Sequence, residues 1–277
     1  MSGFSADWLA LREAADHRSR SQELLHTLVR RVGNWPEISV VDLGSGTGSN
    51  LRALAGSLPQ SQYWTLVDHD KGLLDAARRE LAQWADSAKA TEAGVVLSKA
   101  GKRIEVTFRT ADLARNLEDA LAGRPDLITA SALFDLVSPA FVERFAAAAT
   151  ACRAIFYTVL TYNGRQGWAP PMPMDDAVIA AFNRHQATDK GFGASAGPAA
   201  PALLAEQFRH RGYAVSDGDS PWQLGAADRE LVDQLKAGMA SAVAETGTVD
   251  PKALAEWLGS PRADVTIGHT DTLALPA

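Results

Sequence analysis

The chain has 277 residues, 46% of them hydrophobic, and carries 33 acidic against 27 basic side chains for a net charge of −6. That length suits one large domain or a core with an insertion, and no apolar run approaches membrane-spanning length. The short basic clusters (Arg30-Arg31, Arg78-Arg79, Lys99 to Arg103, Arg209 to Arg211) are interleaved with acids, so no basic stripe disposes the chain to nucleic acid. Cys152 is the only cysteine, which excludes a disulfide framework and a cysteine-ligated zinc site.

Met-Ser-Gly-Phe-Ser-Ala-Asp at the start lacks the basic and apolar regions of a signal peptide, and a cytoplasmic location is expected. Apolar spacing (Trp8, Leu9, Leu11, then Leu24, Leu25, Leu28, Val29, Val32) predicts one interrupted or two consecutive helices over 5–33, ended by Gly33. A strand over 38–42 delivers the chain to Asp42. Gly44, Gly46 and Gly48 follow at alternate positions, and a helix pattern begins near 49. A strand, a glycine-rich turn and a helix make a nucleotide-cofactor loop, because glycine takes positive φ and lets a ligand approach the backbone closely. The spacing is not the G-x-G-x-x-G of dinucleotide enzymes, since Ser49 stands where the third glycine would be.

A strand over 63–67 ends in Asp68, 20 residues after Gly48, followed by His69 and Asp70. An acid there suits a ribose diol, whereas Asp70 reads as the cap or first-turn acid of a helix over 71–86. Residues 94–109 predict a hairpin turning through Lys99-Ala-Gly-Lys, and Asp112 follows it, either as a turn residue or as a ligand contact. A fourth main strand is expected at 126–130, then a helix starting cleanly at Ser138-Pro139. A fifth strand is expected at 154–160, with Cys152 before it as a buried structural thiol. Beyond a long connection, a helix over 201–211, a strand at 213–216, a helical stretch over 226–258 and a strand near 265–269 complete the chain.

The G-x-G-x-G turn two residues after Asp42, the acid-tipped second strand and Arg109-Thr-Ala-Asp112-Leu113 occur in one order over 38–160. In that order the chain resembles the class I S-adenosylmethionine-dependent methyltransferases. The resemblance implies an α/β fold, a doubly wound Rossmann-like seven-stranded sheet of order 3-2-1-4-5-7-6 with an antiparallel last strand. It implies S-adenosylmethionine as cofactor, contacted by Asp42, Gly44, Ser45, Gly46, Gly48, Asp68, His69, Asp112, Leu113 and Ser131. Asp68 would hold the ribose, and Asp112 with the Leu113 N–H would meet the adenine. An Asn-Pro-Pro-Tyr type motif is absent after the fourth strand, where Ala130-Ser-Ala-Leu-Phe-Asp135 stands instead. No cysteine-nucleophile motif surrounds Cys152.

The expected layout is a single domain over 1–277: an N-terminal helical cover (1–35), a cofactor-binding half (36–160), a substrate lid (161–198) and C-terminal helices and strands (199–277). The connection 161–198 is too long for a simple loop and is rich in aromatics. Tyr162 and His185 are the candidate catalytic residues. His185 shares a helix face with Val178, Ala181 and Phe182 and is either a core histidine or a polar group of the lid. Phe134, Asp135, Asn163, Trp168 and Phe192 are candidate substrate contacts. Asp135 either orients an amine or finishes a turn, and Arg12 and Glu13 either reach a ligand or form a solvated face. The expected activity is in-line methyl transfer to a small-molecule N or O nucleophile, where alignment and exclusion of water do most of the work. No metal, nucleic-acid or membrane partner is expected. Two alternatives stay open: a protein or RNA acceptor, and cofactor binding without methyl transfer.

Overall fold

The computed structural model describes residues 4–277. Two helices, α1 (Ala6–Ser19) and α2 (Gln22–Val32), are capped by Ser5 and Ser21, whose hydroxyls accept from the N–H groups of Trp8 and Leu24. The alternating half follows: β1 (Glu37–Leu43), α3 (Ser49–Leu54), β2 (Ser61–Asp68), α4 (Lys71–Trp84), β3 (Ser87–Ala90), β4 (Gly94–Lys99), β5 (Lys102–Thr110), α5 (Leu113–Leu121), β6 (Leu127–Ser131) and α6 (Pro139–Ala151). The chain then runs β7 (Ile155–Ala169), α7 (Asp175–Gln186), α8 (Ala200–His210), β8 (Tyr213–Asp219), β9 (Trp222–Leu224), α9 (Arg229–Thr246), α10 (Pro251–Gly259) and β10 (Asp264–Pro276).

The sheet has ten strands, not seven, in the order β3-β4-β5-β2-β1-β6-β7-β10-β8, with β9 paired to β10. Strands β5, β2, β1, β6 and β7 are mutually parallel, while β10 runs antiparallel to both β7 and β8. The extra strands are the β3–β4 pair on the β5 edge and the short β9. Each sheet face carries its own core, because successive side chains of a strand point opposite ways. Ile38 and Val40 of β1 join the cluster under α1, α2, α4, α7, α9 and α10. Val41 and Leu43 join the one under α5, α6 and α8, where Phe134, Phe145, Phe156 and Phe208 interlock.

Strand β7 does not stop at Leu160. It continues to Ala169 because β10 supplies a partner along its whole length, with register shifts at Ile267/His269 and Thr270/Thr272. At the second shift Leu160 adopts φ +58° and its N–H donates to Asp271 Oδ1 at 2.8 Å. The other Asp271 oxygen takes the Ser21 N–H at 2.8 Å, so one buried carboxylate ties the bulge to the start of α2. The expected lid over 161–198 therefore begins as sheet, and only its later part leaves it. Among the described residues no helix is long and apolar enough to cross a membrane.

Candidate cofactor and acceptor site

The turn after β1 is built by its glycines. Gly44, Gly46 and Gly48 have φ of 64°, 52° and 80°, a region that side chains with a Cβ rarely adopt. Ser45 N–H donates to Val67 O at 3.0 Å and Gly48 N–H to Ser45 O at 2.9 Å. The tip is fastened to β2, whose last residue, Asp68, accepts the Gly46 N–H on Oδ2 at 2.8 Å. Its Oδ1 accepts the Asp70 N–H at 2.9 Å, and Asp70 in turn caps α4 through Gly72 and Leu73. A carboxylate offers about four lone-pair positions, so these two bonds orient Asp68 and leave capacity for a ligand. The half-exposed His69 ring lies with Nδ1 3.4 Å from Asp68 Oδ1.

Beneath the turn lies a buried polar network. Asn50 donates from Nδ2 to Asp42 Oδ1 at 2.7 Å and Thr129 Oγ1 at 3.0 Å, while Arg20 donates to Asn50 Oδ1 at 2.8 Å. Among the described residues Asp42 Oδ2, Arg20 Nε, Tyr157 Oη, Ser45 Oγ and Thr47 Oγ1 are buried without a partner. Burial pushes the Asp42 carboxyl up to about 7, although the Asn50 bond and the Arg20 charge act the other way. Helix α1 covers this region. A Cβ placed on Gly46 would lie 2.9 Å from Leu9 Cδ1, and Arg52 of α3 pairs with Glu13 of α1 and with Glu80. His17 of α1 reaches Ser49 Oγ at 2.9 Å.

A second cluster stands past β6 and β7. Asp135 is buried, its Oδ1 has no partner among the described residues, and burial raises its carboxyl to about 6 against the pull of Arg12. Arg12 is held by a bidentate pair to Asp16, at 2.9 and 3.1 Å, and lies 4.9 Å over the Trp222 ring. Trp222 Nε1–H donates to the same Asp16 at 2.9 Å. His269 of β10 sits 5.3 Å from Trp222 and 6.3 Å from Tyr162, centroid to centroid. Burial first, and the Arg12 charge second, lower its imidazole to about 3, so the ring is neutral.

The other expected positions fall differently. Asp112 caps α5 by accepting the Ala114 N–H at 3.0 Å on the surface, and Leu113 is buried core. Ser131 ends β6 half-buried. Phe134, expected as a substrate contact, is fully buried. The chain curls into a 3₁₀ turn after β6 and drives its ring between Phe145 and Phe156, at 4.8 and 5.3 Å. Tyr162 is buried, but its hydroxyl donates to Asn183 Oδ1 and accepts from Gln166 Nε2, both at 2.7 Å. Burial pushes it up to about 12, so it positions α7 against β7 and is no base near neutral pH. Asn163 braces the sheet by donating to Thr270 Oγ1 at 3.1 Å.

Trp168 packs edge-on to Trp257 at 5.1 Å within the α10 core. Phe192 stacks edge-on to Phe141 at 4.8 Å on the opposite sheet face. His185 sits at the rim of its helix face, where Nε2 meets Glu245 Oε2 of α9 at 2.9 Å. Cys152 is a half-buried free thiol at the end of α6. His269, Trp222 and the Arg12–Asp16 pair did not emerge as a cluster from the sequence. Their contacts join residues about 200 positions apart, and only the i,i+4 spacing of Arg12 and Asp16 on α1 was a local signal.

No protein-family model matches the chain, and no curated protein matches it in sequence. Solved structures do share its architecture. A cyclopropane-fatty-acyl-phospholipid synthase-like protein from Lactobacillus casei aligns with TM-score 0.55 at 14% identity, over 99% of this chain and 95% of that one. A cyclopropane synthase from Mycobacterium tuberculosis aligns with TM-score 0.54 at 13% identity, over 98% and 94%. With the glycine turn fastened to an acid-tipped β2, the chain has the fold of the class I S-adenosylmethionine-dependent methyltransferases.

Proposed function

We propose that the chain binds S-adenosylmethionine at the 44–48 turn and transfers its methyl group to a small-molecule nucleophile by in-line displacement. The observation that carries this reading is the turn itself: three left-handed glycines whose tip N–H is held by Asp68, above a buried Asp42 oxygen without a partner. These residues fit the cofactor. Asp68, already oriented, receives the ribose hydroxyls. Asp42 Oδ2, a buried acceptor, suits the ammonium of the methionine part. Ser45, His69 and Ser131 border the same strand ends, while Asp112 and the Leu113 N–H, at the start of α5, take the adenine.

When bound, S-adenosylmethionine supplies a methyl group on a good leaving group. The chain's part is to align the acceptor and exclude water, which α1 does by lying across the turn through Leu9. The acidic chain, which carries no basic stripe, supports a small acceptor over RNA. We read the whole chain as one domain acting in the cytoplasm without nucleic-acid or membrane partners.

Incubation with methyl-labelled cofactor and a cell extract tests this reading. Label is expected in the small-molecule fraction, dependent on Gly46 and Asp68. Label confined to protein or RNA would overturn the choice of acceptor, and no transfer to any fraction would overturn the activity.

A further inference from the structure

The hydrogen bonds under the glycine turn admit one arrangement, and it governs the carboxylate at their end. Asn50 of α3 gives both Nδ2 hydrogens away, to Asp42 Oδ1 at 2.7 Å and to Thr129 Oγ1 at 3.0 Å. Thr129 is the register partner of Asp42 across β1 and β6, and its own hydroxyl donates to Tyr157 O at 2.7 Å. Toward Asn50 it therefore only accepts. Arg20 Nη1 donates to Asn50 Oδ1 at 2.8 Å, and a guanidinium has no acceptor to offer. A turned-over amide would set donor against donor at Arg20 and carbonyl against carboxylate at Asp42.

Thr129 and Arg20 thus fix the same amide orientation independently. The amide in turn holds Asp42 Oδ1, while Oδ2 stays buried and without a partner among the described residues. Arg20 is placed for this by the chain around it. It directly follows α1, and the N–H of the next residue, Ser21, goes to Asp271 Oδ2 at 2.8 Å. Arg20, Asn50 and Asp42 are all buried, so a lost bond is not made good by bulk water.

We propose that Arg20, acting through Asn50, is a positioning residue for the cofactor: it sets the direction in which Asp42 offers its free oxygen, and so makes the site selective for ligands that carry the amino group of the methionine part. This rests on the cofactor reading above. Arg20 and Asn50 act at one remove from the ligand, and the nucleoside half, assigned to Asp68, does not depend on them.

The test is calorimetric titration of the full chain with S-adenosylhomocysteine and with its desamino analogue, which has hydrogen in place of the amino group. The native chain is expected to bind S-adenosylhomocysteine at least tenfold more tightly than the analogue. In Arg20→Met and in Asn50→Leu that preference should fall to threefold or less, while affinity for the analogue changes less than twofold. The double variant Arg20→Met/Asn50→Leu replaces both partners by apolar side chains and strands no guanidinium, so it carries the measurement if a single variant does not fold. A preference that stays above threefold in the double variant, equal loss of both ligands there, or no preference in the native chain would overturn the proposal. A native chain that binds neither ligand would instead strike the cofactor reading on which the proposal rests.

Discussion

Asp42 carries the clearest consequence of a single residue. Its carboxyl titrates at about 7 in the fold against an ordinary 3.8, so between these values the folded state binds the proton that the unfolded state has released. Stability therefore falls as pH rises through this window, by up to roughly 4 kcal/mol if the whole shift is realised. Asp42→Asn should flatten the dependence between pH 4 and pH 7 in denaturant titrations of the ligand-free protein. An unchanged slope would show that Asp42 titrates normally. Gly46 gives a second test at this scale. Valine there would have to adopt φ near +52° and would strike Leu9. Gly46→Val should lower cofactor affinity more than tenfold, and tight binding by the variant would contradict the turn's assignment. The turn was legible beforehand because its own hydrogen bonds are local, from Ser45 and Gly46 to Val67 and Asp68 and from Gly48 to Ser45. Phe134 and His185 were not, since a position just past a strand, or a place on a helix face, does not say which way a turn curls or where the face ends.

Helix α1 decides more about the site than its sequence suggests. Its Arg12–Asp16 pair, each side chain about 10% exposed, is locked to Trp222 of β9. Asp16→Ala would strand a buried guanidinium and an indole N–H. Breaking a buried pair in this way costs about 3–5 kcal/mol, and urea titration should show it as a fall in midpoint. A change below 1 kcal/mol would mean that Arg12 finds water or another partner. The contrast is α7, where His185 meets a largely exposed Glu245. His185→Ala should cost no more than about 1 kcal/mol and leave turnover unchanged, measured as melting temperature and rate on one preparation. A large loss of turnover would return His185 to the site. Strand β7 shows why element ends were harder to read than element types. Asn163, Gly164 and Gly167 break the apolar alternation beyond Leu160, and only the antiparallel β10, about 100 residues later, makes that stretch a strand.

At the scale of the molecule, the alternation of strands and helices through α6, α5 excepted, was legible because each unit buries its own apolar face. The convergence of α1, β9 and β10 at Trp222 was not, since it depends on contacts between distant parts of the chain, and neither was β3, whose Ser87-Ala-Lys-Ala carries no apolar alternation and which adds to the hairpin arm β4 that the 94–109 pattern predicts. A net charge of −6 gives little counterion release to drive nucleic-acid binding. Anisotropy titrations with tRNA or duplex DNA near physiological salt should show no submicromolar association, and salt-sensitive binding in that range would favour a macromolecular acceptor.

The central claim is that the Gly44–Gly48 turn and Asp68 form an S-adenosylmethionine site. Calorimetric titration of the purified chain with S-adenosylmethionine and S-adenosylhomocysteine tests it most directly, alongside Asp68→Ala. Both ligands should bind the native chain, and Asp68→Ala should weaken both more than tenfold, as loss of roughly 2 kcal/mol of charge-assisted bonding requires. Absence of binding, or equal affinity in Asp68→Ala, would contradict it.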